Sequence, residues 1–151
     1  MNLSEYLHTN GDDIVRSACE AMTRAHLKHY DHAGEEHVHQ RIKALFVLTA
    51  RGVKEKNLGP MIAHADTIAG ERFQAGYDLW EVQTAFNVLE EVIWQNILRD
   101  LQPADYAEAL GLVSTVLGAG KDALARQYVS LASKSKSPSL NLHSLFTGLE
   151  S

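Results

Sequence analysis

The sequence is poor in several things, and each shortage removes a class of protein. There is one cysteine, Cys19, in 151 residues. That rules out an intrachain disulfide and any cysteine-based zinc site. No stretch approaches the run of about eighteen uncharged apolar residues that a membrane-spanning helix needs. The opening "MNLSEYLHTNGDD" has no basic region followed by an apolar run, so it does not read as a signal peptide. A cytoplasmic protein is the expectation. Positive charge is scarce as well: 14 Lys and Arg stand against 19 Asp and Glu, a formal net charge of -5. A nucleic-acid binder presents a basic face, and the densest basic cluster here is the short "SKSK" at Ser133 to Lys136. Proline occurs three times, at Pro60, Pro103 and Pro138. The first two suit helix starts, where the missing N–H costs nothing. The third reads as the end of the folded part.

What is present is helical periodicity, with no alternating strand pattern. The chain reads as a single all-α domain over residues 1–134, with a Ser-rich tail at 135–151. Five main helices are expected. The first starts near Asp12 or Asp13, after a break at Gly11, with Val15, Ala18, Cys19, Met22 and His26 facing the core. "DHAGEEH" reads as a loop. A second helix covers about Glu36 to Arg51, with Val38, Ile42, Leu45, Phe46 and Thr49 inward. A third runs from Pro60 to about Ala75, and Gly76 takes the left-handed position after it. The fourth opens on a capping box made by Asp78 and Glu81 and ends near Leu101. The fifth begins at Pro103 and continues to about Ser133.

The fourth helix carries two stripes. Leu79, Val82, Phe86, Leu89, Ile93 and Ile97 form one. Trp80, Thr84, Asn87, Glu91, Trp94 and Leu98 form the other, a mixture of aromatic anchors and hydrogen-bonding groups that suits an interface. In the fifth helix Gly111, Ser114 and Gly118 recur at helical spacing. Each glycine inside a helix costs about 1 kcal/mol relative to alanine, so they call for a close helix approach or a kink. Trp80, Thr84, Asn87, Glu91, Trp94, Gly111, Ser114 and Gly118 are the candidate homodimer face. Leu142, Leu145 and Phe146 give the tail a candidate docking stripe, the alternative being a segment that folds back or stays unstructured.

The stretch "RIKALFVLTARGVKEKNLGPMIAHADTIAGERFQAGYDLWEVQTAFNVLEEVIWQNIL" resembles the N-terminal sensor domain of the stressosome-type RsbR/RsbRD co-antagonist regulators. The resemblance rests on the basic residue and glycine from Arg72 to Gly76, the hydrophobic-acidic entry from Leu79 to Glu81, and the long apolar helix ending at Trp94. It implies a globin-like helical fold that holds no haem, forms dimers and passes a signal to an effector. No effector sequence follows here, so it implies a stand-alone regulatory module with a signalling protein as partner.

Chemistry is sparse. Eight histidines are present, and His29, His32, Glu36, His37 and His39 are spaced closely enough to be candidate metal ligands. They fall at a helix end and in an expected loop, and no second cluster completes a di-metal bundle. Clustered imidazoles also titrate near pH 6.5. For haem, His64 sits on a wet stripe with Pro60, Thr67 and Glu71, whereas His26 lies on an apolar face and is the better-placed histidine. Cys19 has no neighbouring base to activate it. "LGAGKDAL" at Leu117 to Leu124 lacks the first glycine of a phosphate-binding loop and follows no strand. The reading is a non-enzymatic regulatory domain with no cofactor, acting on a protein partner or small signal. The alternatives are a His/Glu metal-binding bundle and a tetrapyrrole or small-ligand carrier.

Overall fold

The computed structural model describes residues 2–140, with side chains to 135. Among them are six α-helices, one 3-10 turn and no strand. The tail candidates Leu142, Leu145 and Phe146 lie outside the described residues. Helix α1 spans Leu3–Ala25, α2 Lys28–Ala33, α3 Glu35–Glu55, α4 Gly59–Gln74, α5 Leu79–Asp100 and α6 Tyr106–Leu140. The 3-10 turn at Pro103–Asp105 leads into α6. In the core, α4 packs on α6, α1 on α3, and α5 lies between α6 and α1.

Three expectations about the elements need correcting. The first helix does not start at Asp12: it starts at Leu3, capped by the Asn2 side chain, which accepts from the Glu5 N–H at 2.8 Å. It then runs straight through Gly11. A Cβ on Gly11 would stand 2.9 Å from Phe46 Cε2 of α3, so this glycine is a contact point between helices rather than a break. The "DHAGEEH" loop is also helical on both sides of a single residue. Gly34, at φ +95°, separates α2 from α3, a backbone setting that glycine adopts without steric cost. That makes six α-helices instead of five. At the other end α6 is helical past Ser133 to Leu140, so Pro138 falls inside it rather than marking its end.

The starts of α3, α4 and α5 and the ends of α4 and α5 match within a residue, whereas α3 runs on past Arg51 to Glu55. Gly76 has φ +86° and follows the α4 C-cap, and Asp78 and Glu81 form both halves of the capping box. Of the two stripes on α5, the first is the core: Val82, Phe86, Leu89, Ile93 and Ile97 are buried. They meet Met61 and Ala65 of α4 and Val113, Leu117 and Leu124 of α6 in one hydrophobic cluster.

The glycines of α6 separate in the same way. A Cβ on Gly120 would lie 2.8 Å from Phe86 Cε2 and 2.9 Å from Met61 Sδ, so α4, α5 and α6 converge on this residue. Gly120→Ala is expected to lower stability by about 1–2 kcal/mol, since overpacking of about 1–3 kcal/mol exceeds the gain in helix propensity. Gly70→Ala, where an added methyl meets nothing within 4 Å, is expected to raise it by about 1 kcal/mol. Urea unfolding of the two variants checks the contrast in sign.

Candidate functional site

Two places in the fold gather polar or exposed groups beyond what packing requires. The first is built around Glu81, in the opening turn of α5. Its side chain is 2% exposed and accepts three hydrogen bonds. The Asp78 N–H donates at 3.1 Å, which completes the capping box. The His29 N–H, at the start of α2, donates at 3.1 Å. His29 Nδ1 lies 2.7 Å from Glu81 Oε1, the oxygen that also accepts from Asp78. Burial on its own pushes the carboxyl up, but the backbone donors of His29 and Asp78 and the His29 ring outweigh it and hold Glu81 below the ordinary glutamate range.

Tyr77 sits over this pair. Its ring stacks at 4.8 Å from His29 and meets Tyr30 edge-on at 5.3 Å. Two guanidiniums flank it: Arg41 at 5.4 Å and Arg72 at 5.7 Å from the ring centroid. Arg41 Nη1 also donates to the Tyr77 hydroxyl at 2.6 Å, and the Tyr128 hydroxyl donates to the Tyr77 carbonyl at 3.0 Å. Burial raises the Tyr30 phenol, against the pull of Arg72 and Arg41. Tyr128 is pushed up to about 12, by burial first. Both phenols are neutral donors at physiological pH.

The second place is the outer face of α5 and α6. Trp80, Trp94 and Leu98 are 58%, 39% and 47% exposed, a large apolar display for one helix. Asn87 and Glu91 are exposed beside them and Thr84 is half-buried. Lys121 of α6 bridges to Asn87 Oδ1 at 2.9 Å and Glu90 Oε1 at 3.1 Å. At the other end the Tyr106 hydroxyl donates to the Leu98 carbonyl at 2.7 Å. Gly118, Ser114 and Gly111 precede Lys121 at helical spacing, so they run alongside this α5 stripe. A Cβ on Gly111 or Gly118 would meet nothing within 4 Å. The Ser114 hydroxyl is buried and has no hydrogen-bond partner.

With that geometry in view, the chain can be compared with known proteins. A family model described as the RsbT co-antagonist protein RsbRD N-terminal domain matches residues 10–133. The chain belongs to the RsbRD N-terminal domain family. Membership places it among regulatory co-antagonist domains. No curated protein and no solved structure matches it.

The structure disperses the histidine cluster. His29 is committed to Glu81, while His32, Glu36, His37 and His39 are exposed. Among the described residues no group of three His, Cys, Asp or Glu side chains could hold a metal ion. The two histidines weighed for haem trade places. His26 is not on the core face: it is the exposed left-handed C-cap of α1, at φ 52°. His64 shares its stripe with the exposed Thr67 and Glu71, as expected, but is itself half-buried, and burial first, then Arg72, lowers its pKa. Burial first, then Glu20, raises the half-buried Cys19 thiol, which keeps it protonated and unreactive.

Sequence reasoning missed the Tyr30, Arg41, Arg72 and Tyr77 cluster. One signal was available: Arg72 follows Ala65 and Ile68 at helical spacing and so shares their core-facing side. The role of Glu81 beyond its own cap was not readable, because its second partner, His29, is distant in sequence.

Glu81→Gln keeps the volume and removes the charge from all three bonds. The loss is expected to be about 2 kcal/mol at pH 7. Because the folded carboxyl titrates below its ordinary 4.5, its stabilisation is complete above that value and is lost as pH falls through the folded one. The gap between wild type and variant therefore narrows below about pH 4.5, which urea unfolding across pH 3–7 measures.

Proposed function

We propose that the chain is a non-enzymatic, globin-like signalling domain of a stressosome-type pathway, working inside the cell as a homodimer. Its dimer contact is the α5–α6 face, and it passes a signal to a partner protein by a shift in helix packing. Family membership supports the regulatory role. The observation that carries the dimer is the pairing of exposed Trp80, Trp94 and Leu98 with Gly111 and Gly118, whose missing Cβ atoms no contact among the described residues explains.

The physical argument is one of cost. Two glycines lower helix propensity by about 2 kcal/mol together, and no contact among the described residues requires them. A helix of a second copy laid along Gly111, Ser114 and Gly118 uses the space they leave open. The tryptophans of α5 then act as anchors at the edge of the contact. Helix shifts at such an interface are a known carrier of regulatory signals.

Sedimentation equilibrium tests this. The unmodified chain is expected to be dimeric at micromolar concentration. Trp94→Glu and Gly118→Glu are expected to be monomeric with unchanged helicity by circular dichroism, because both positions face outward in the subunit. A wild-type chain that remains monomeric across the micromolar range sinks the reading.

A further inference from the structure

Between α2, α3, α4 and α5 lies a cavity of about 190 Å³. Ile42, Ile68, Val82 and Phe86 supply apolar wall, and both Arg41 and Arg72 also line it. None of its lining residues belongs to the α5–α6 face, so what it does is independent of the dimer.

The charges here do not balance. Arg41 donates to the Tyr77 hydroxyl, and among the described residues it has no carboxylate partner. Arg72 Nη1 lies 3.3 Å from Glu71 Oε2, but that carboxylate is 62% exposed while the Arg72 side chain is 11% exposed. Solvent weakens such a pair. Arg72 Nε is buried with no hydrogen-bond partner, and a charged donor left without an acceptor is costly. The remaining titratable groups on the wall are His64, whose lowered pKa keeps it uncharged at neutral pH, and Tyr30, whose phenol burial pushes up. Two guanidiniums therefore line an apolar chamber whose wall carries one carboxylate, the solvated Glu71.

We propose that this cavity binds a small monocarboxylate with a compact apolar body. The carboxylate accepts from Arg72 and Arg41, a geometry that guanidinium forks match. The apolar part fills the space against Ile42, Ile68 and Phe86. Phosphate fits poorly, because its further charge and oxygens would meet apolar wall without donors. Chloride would leave the chamber unfilled.

The test is a titration of the 15N-labelled full chain with sodium hexanoate, followed by NMR. The expected result is a saturable shift that includes the Arg72 Nε–H signal, with 1:1 stoichiometry by calorimetry. Hexanamide, the same body without the charge, should fail to saturate the site, as should chloride and phosphate. Arg72→Gln is expected to weaken hexanoate by about tenfold or more, the worth of a hydrogen bond to a charged group. Ala85→Leu keeps both arginines and fills the chamber, and it too should abolish binding, so the outcome does not hang on whether Arg72→Gln folds. Absence of a saturable hexanoate shift overturns the proposal. So does hexanamide, chloride or phosphate binding as tightly as hexanoate, or Ala85→Leu leaving the affinity unchanged.

Discussion

One carboxylate holds the sequence-distant parts of this domain in register. Glu81 satisfies the open N-terminus of α5 through Asp78, and the same two oxygens take the backbone and ring of His29 at the start of α2. Helix α2 has six residues, far fewer than an isolated helix needs to be stable in water. Its N-cap has no side-chain hydrogen bond of its own. It is ordered by what it is attached to, and Glu81 is the polar part of that attachment. Tyr30 and Tyr77 supply the apolar part. With α2 fixed, Tyr30 closes one side of the arginine-lined cavity and α3 leaves Gly34 in the direction that brings Arg41 to Tyr77.

The same helix, α5, separates inside from outside. Its core stripe meets α4 and α6 at Gly120, while its opposite stripe shows tryptophan to solvent. The glycines of α6 repeat this division. Gly120 is an internal necessity, and Gly111 and Gly118 face open space. Glycine is commonly read as a weakness in a helix. Here each one marks a surface where a second helix either lies close or has room to.

The sequence was legible wherever the determining interactions were local. The capping box at Asp78 and Glu81, the left-handed Gly76, the proline at the start of α4 and the apolar periodicity of α5 all depend on residues within a turn or two of one another. They also separated the two stripes of α5, though not which of them is core: that depends on α4 and α6. Gly11 misled for the same reason. Taken locally a glycine beside Asn10 and two aspartates breaks a helix, but the Phe46 ring that needs the space comes from another helix. The arginine and tyrosine cluster is still further from local rules. Tyr30, Arg41, Arg72 and Tyr77 come from four segments, and only tertiary packing brings them together. His26 and His64 were placed by stripe counting, which fails at a helix end, where the backbone turns left-handed, and at a core margin, where a neighbouring helix covers part of a polar face.

Helix α6 has a mechanical consequence as well. It has 35 residues, which at 1.5 Å each gives about 52 Å. A compact domain of this length has a radius of gyration of about 15 Å, so the helix is longer than the body it crosses. Met61 and Phe86 close against its backbone at Gly120, and further along the Tyr128 hydroxyl holds the Tyr77 carbonyl. Tyr128 is its last buried residue among those described. From there to Ser135 is about 10 Å of helix, so a bend of about 10° beyond Tyr128 moves that end by about 2 Å. A change too small to disturb the core becomes, at the far end, a displacement of the size that separates one side-chain packing from the next.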